Sequence, residues 1–98
     1  MPDPIAPEPV VIPVDGVLDL HNFNPREVKT LVIDYLQECR ISGILEVRII
    51  HGKGIGNLRR TVHALLEKIP WVDKFELAGH DAGHWGATLV WLMPAPLE

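Results

Sequence analysis

Ile44-Leu45-Glu46-Val47-Arg48-Ile49-Ile50-His51-Gly52-Lys53-Gly54-Ile55-Gly56-Asn57 is the stretch on which the fold turns. Branched apolar residues dominate its first half, which predicts a central β-strand over 44–50. Glu46 and Arg48 alternate with Val47 and Ile49, so one face of that strand is wetter than the other. Three glycines then end the strand and predict a loop over 51–57. Beyond it, Leu58, Val62, Leu65, Leu66 and Ile69 recur at helical spacing, so a helix is expected over about 58–69, ended by Pro70.

The same strand-then-helix grammar stands upstream. Val17-Leu18-Asp19-Leu20 reads as a short strand. Asn24-Pro25-Arg26-Glu27 supplies an N-cap, a proline at the first helical position and a glutamate three residues after the cap. Val28, Leu31, Val32, Tyr35, Leu36 and Cys39 then form one apolar stripe, closed by Gly43. Downstream, residues 72–78 and 87–93 read as two more strands, separated by a loop over 79–86. The expected architecture is α/β, a βαβαββ two-layer sandwich: a four-stranded mixed sheet with two helices on one face.

Bulk properties bound the function. The 98 residues suffice for one small domain, and 47% of them are hydrophobic. Residues 1–15 hold five of the nine prolines and read as an extended arm, with Val10-Val11-Ile12 able to pair as an edge strand. Residues 16–93 are the expected domain and 94–98 a short tail. No apolar run is long enough for a membrane span, and the N-terminus lacks the layout of a signal peptide, so a cytoplasmic protein without a membrane partner is expected. The lone cysteine, Cys39, excludes an internal disulfide and sits on a core-facing stripe. The net charge is −4, yet residues 17–93 carry all nine Lys and Arg against nine Asp and Glu, so the expected domain is about neutral. In sequence, only Lys53, Arg59 and Arg60 cluster.

Two segments carry chemistry. Asp19 and His21 stand two apart at a strand end, where a carboxylate can orient an imidazole for acid-base work. His51-Gly52-Lys53-Gly54-Ile55-Gly56 lies between strand and helix, where loop amides of Gly52, Gly54 and Gly56 can hold an anion beside the Lys53 ammonium. It matches neither a Walker loop nor a dinucleotide fingerprint. Each segment alone also fits an ordinary turn; together, at one edge of a sheet, they outline a phosphate-sized cleft. In the 79–86 loop, His80, Asp81 and His84 lack the further ligands a structural zinc needs. Trp85 there can stack on an unpaired base or cap the core. His63 reads as a solvated surface histidine.

Leu18-Asp19-Leu20-His21, the 49–59 segment and Gly86-Ala87-Thr88-Leu89-Val90 together resemble the Smr (small MutS-related) domain, of the stand-alone type, over about residues 16–93. The resemblance implies a fold like the C-terminal domain of translation initiation factor three. It also implies endonuclease activity on DNA or RNA, in settings from DNA repair to cleavage of mRNA on stalled ribosomes, with nucleic acid and in some members the ribosome as partners. On this reading Asp19, His21 and His51 are catalytic. Gly52, Lys53, Gly54, Gly56, Arg59, Arg60 and Trp85 hold the substrate. If Mg2+ takes part, Asp19 is its ligand. A noncatalytic nucleic-acid- or ribosome-binding module is the alternative. Asn22 stands where the family has glycine after the first histidine. The oligomeric state is not legible.

Overall fold

The structure is a computed structural model that describes residues 13–21, 23–52, 57–78 and 86–96. Its elements are β1 (Val17–Asp19), α1 (Pro25–Ile41), β2 (Glu46–Ile50), α2 (Asn57–Glu67), β3 (Val72–Leu77) and β4 (Ala87–Leu92). The sheet order is β1-β2-β4-β3. β1 and β2 run parallel, and β4 runs antiparallel to both β2 and β3. The mixed α/β sandwich expected from the sequence is the fold observed.

Alternation along the strands decides which face the helices cover. Leu18, Val47, Ile49, Val90 and Leu92 are buried, and they join Val28, Val32, Leu36 and Cys39 of α1 with Val62 and Leu66 of α2 in one core. The opposite parity (Val17, Asp19, Glu46, Arg48, Ile50, Leu89 and Trp91) is exposed or half-buried. Both helices therefore pack on one sheet face, and the other remains the wetter one. On that side the Lys74 ammonium lies 4.6 Å from the centre of the Trp91 ring. The ladder between β3 and β4 has an irregularity between Val72 and Lys74.

Helix boundaries follow local chemistry. The Asn24 side chain accepts from the Arg26 amide at 3.0 Å, and Pro25 opens α1. α2 stops at Glu67, two residues before the expected end. There the Lys68 and Ile69 amides turn to the carbonyls three residues back, of Leu65 and Leu66. Pro70 disfavours the α conformation in the residue before it, and the last turn tightens accordingly.

Tyr35 fastens the start of the sheet to α1. Its hydroxyl oxygen accepts from the Gly16 amide at 3.1 Å and from the Asp15 amide at 3.3 Å. Its proton can go to Val17 O, 3.1 Å away. Gly16 has φ +92°, and a Cβ there would meet the Glu46 carbonyl and the Ile44 side chain at 3.3 Å. A glycine is required, and its carbonyl accepts from the Arg48 amide at 2.7 Å to begin the β1–β2 pairing. Replacing Tyr35 with Phe keeps the ring but strands these groups. It should lower the urea-unfolding free energy by about 1–3 kcal/mol. An unchanged midpoint would show that water replaces the hydroxyl without cost.

Candidate active site

The parallel register sets the site. Asp19 pairs with Ile50, and the Leu20 amide continues the ladder to the Ile50 carbonyl at 2.8 Å. His21 and His51 thus leave the sheet at the same edge. With Gly52 they line a cleft of about 460 Å3, whose other walls are Leu20, Phe23, Pro25, Asn57, Leu58, Arg59 and Thr61. The first turn of α2 therefore opens onto the cleft. That turn carries no acidic residue, so the positive end of the helix is uncompensated and Arg59 adds to it.

At the mouth, Asp19 Oδ1 does two tasks. It accepts the His21 amide at 3.0 Å, which shapes the turn, and the His21 ring at Nδ1, 2.6 Å away. A carboxylate only accepts, so Nδ1 carries the proton. Nε2 of the neutral ring is then an acceptor with no partner among the described residues. The pair is open to solvent, with side chains 62% and 46% exposed for His21 and Asp19. The side-chain hydrogen bond from His21 is the largest cause holding the Asp19 carboxyl below its ordinary value of 3.8, with the backbone bond next.

Deeper in, His51 is buried, 5% exposed, and both its ring nitrogens are engaged. Nδ1 lies 3.0 Å from the Gly52 carbonyl, which must accept, so this nitrogen is protonated. Nε2 then accepts from the Thr88 hydroxyl at 2.8 Å. The Thr88 oxygen lies 2.7 Å from His63 Nε2, so His63 donates there. The chain of donors is His63 to Thr88 to His51 to Gly52 O. Burial pushes both imidazoles below the ordinary histidine value, His63 further through its neighbour His51 and both through the Arg59 charge. A single hydroxyl that donates to His51 Nε2 requires that ring to be neutral.

Several expected roles change. His63, expected at the surface, is half-buried, with its ring 5.0 Å from that of Phe75. The Gly52 amide does not face an anion: it donates to the Gly86 carbonyl at 2.9 Å, as does the His51 amide at 2.8 Å. Gly52 earns its place by backbone freedom, with φ +80°. Arg60 does not line the cleft with Arg59; consecutive helical positions diverge, and Arg60 lies in a groove between α1 and α2. Thr88 was the readable signal for the buried cluster. It alternates with Val90 and Leu92 on the core face of β4, and a buried hydroxyl needs partners. Asn22, Lys53, Gly54, Gly56, His80, Asp81, His84 and Trp85 lie outside the described residues.

Among the described residues no three His, Cys, Asp or Glu side chains gather as a metal site. Asp19 offers one carboxylate, with Oδ1 already taking two hydrogen bonds. This donor set does not fit a tightly held resident Mg2+.

Comparison with known proteins agrees with this fold. The family model described as Smr domain matches residues 18–93. The chain belongs to the Smr domain family. It is 40% identical over 75 residues to Endonuclease MutS2 of Carboxydothermus hydrogenoformans, and 39% identical over 79 residues to that of Finegoldia magna. The matches cover 76% and 81% of this chain but 10% of each relative. The Smr domain of Thermus thermophilus MutS2 superposes with a TM-score of 0.75 at 33% identity, covering 80% of this chain and 98% of that one. YdaL, a stand-alone small MutS-related protein from Escherichia coli, gives 0.72 at 28% identity, covering 80% and 64%.

Two measurements check the geometry. In His21→Ala, the Asp19 pKa should rise toward its ordinary value in a carboxyl NMR titration. Because the folded value is the lower one, the stability Asp19 contributes is present above the ordinary carboxylate pKa and is lost as pH falls through the folded value. An unmoved Asp19 would mean the pair is not formed in solution. Thr88→Val leaves two half-buried imidazole nitrogens without their shared hydroxyl. It should cost about 1–3 kcal/mol in urea unfolding, and wild-type stability would refute the buried chain.

Proposed function

We propose that this chain is an Smr-type endonuclease that cleaves phosphodiester bonds in DNA or RNA. The observation that carries the reading is the Asp19–His21 pair, 2.6 Å apart, at the mouth of a cleft that also holds Arg59 and the first turn of α2. The relatives named above support it, since they are called endonucleases and are matched over the domain that carries these residues.

His21 is the group suited to proton transfer. Asp19 fixes the ring through Nδ1–H and stabilises the imidazolium that forms when Nε2 takes a proton. A nucleophilic oxygen, from water or from a ribose 2′-hydroxyl, loses its proton to Nε2 as it bonds to phosphorus. The bond to the leaving oxygen breaks, and that oxygen is protonated in turn. Arg59 and the amino end of α2 face the phosphate, whose added charge in the transition state they stabilise. His51 is a positioning residue: with no free ring nitrogen, it holds the Gly52 carbonyl and hence the entry to the loop that precedes α2.

A binding module without turnover is the second reading. It is favoured by the same commitment of His51, which leaves His21, among the described residues, as the one histidine of the cleft with a free nitrogen. Purified protein and His21→Ala, incubated with matched single-stranded RNA, branched DNA and duplex DNA in Mg2+ or chelator, separate the two. The endonuclease reading expects at least a 100-fold loss of cleavage in the variant, in line with general acid-base catalysis, with binding retained. Binding without cleavage of any substrate by the wild type would leave only the module.

A further inference from the structure

We propose that the groove between α1 and α2 is a track for the sugar-phosphate backbone of a nucleic acid whose scissile bond lies in the His21 cleft. The proposal rests on the reading above and names the surface by which the substrate is held.

Lys29 of α1, Arg60 of α2 and Lys68 just beyond α2 line a groove of about 450 Å3 with Thr61, Ala64 and Leu65. No carboxylate lines it. The three cations are exposed, and among the described residues none stands within 4.0 Å of an acidic group, where the one ion pair is Asp19–His21. Two other cations are engaged in structure. Arg40 donates to the carbonyls of Met93 and Pro94 and lies over Trp71, and Lys74 lies over Trp91. A protein with 13 Asp and Glu against nine Lys and Arg thus gathers three unpaired cations in one groove.

The groove is continuous with the cleft, because Thr61 lines both. Arg59 faces the cleft and Arg60, one residue on, faces the groove, so positive charge stands on both sides of the start of α2. From Arg60 to Lys68 the chain advances eight residues, roughly 12 Å at helical rise. That equals the axial rise of roughly three to four nucleotides of one B-form strand, at 3.4 Å each. The floor of Ala64 and Leu65 suits the alkyl stems of the lysines, which leave their charges at the rim. A polyanion crossing this face meets three cations and then the acid-base pair. An acidic protein segment would match the charges but would have no use for the adjoining cleft.

The test is the salt dependence of binding. Full-length wild type and the triple variant Lys29→Gln/Arg60→Gln/Lys68→Gln are titrated with labelled single-stranded RNA, single-stranded DNA and duplex DNA of equal length. The slope of log Kd against log salt should shrink by about 2 on single strands and about 3 on duplex, the loss of three phosphate contacts. Urea midpoints close to wild type would confirm that these exposed changes leave folding intact. Arg48→Gln, on the wetter sheet face, should leave the slope unaltered. Equal slopes for wild type and triple variant would overturn the track while leaving the endonuclease reading in place. So would a comparable drop in Arg48→Gln, which would make the attraction diffuse. No binding of any strand by the wild type would overturn both.

Discussion

Everything at the site depends on the in-register parallel pairing of β1 with β2. Three residue pairs and one further amide, from Leu20 to the Ile50 carbonyl, hold it. Parallel strands cannot be joined by a tight turn, so the chain must cross over through a helix, and α1 is that crossover. A consequence is that both strands end at the same edge and both are followed by helix entrances. A slip of β1 by one residue against β2 would send Leu18 outward and carry Asp19 to the core face. The apolar alternation that builds the core therefore also fixes where the polar strand ends emerge. Gly16 and Tyr35 guard this register from the other end of β1, by admitting a close backbone approach and by tying the turn to α1.

The two histidines that follow these strands take different parts because their surroundings differ. His21 is solvated, and one carboxylate oxygen directs its proton to Nδ1. His51 is buried, and a carbonyl and a hydroxyl claim both of its nitrogens. Burial and, less so, the nearby Arg59 oppose charge on the second. One residue type at equivalent ends of adjacent strands thus takes two forms, an exposed ring with one nitrogen engaged and a buried ring with both engaged.

The fold was legible because its signals are local and repeated: alternation in 17–20 and 44–50, helical spacing in 28–39 and 58–69, and a capped start at Asn24. The Asp19–His21 pair was legible too, since residues two apart on a strand share a face. What sequence order concealed was the set of contacts made across elements. His63 looked solvated because its helical neighbours are polar, and only the β4 hydroxyl opposite it reveals the partner. Arg60 looked like a companion of Arg59 because the two are adjacent in the chain, yet a helix turns adjacent residues about 100° apart. The Gly52 amide looked free until Gly86, 34 positions on, supplied its acceptor.

The sheet's outer strands also bear on how copies of this chain behave toward one another. An open edge offers unpaired amides and carbonyls to any neighbour. β1 presents three residues at one edge. β3, at the other, exposes Asp73, Lys74 and Glu76 and breaks its register near Lys74. A second molecule approaching either side would find a strand too short to extend or one too charged and irregular to copy. Among the described residues, the same small sheet that aligns the ends of β1 and β2 thus offers little edge on which a further strand could build.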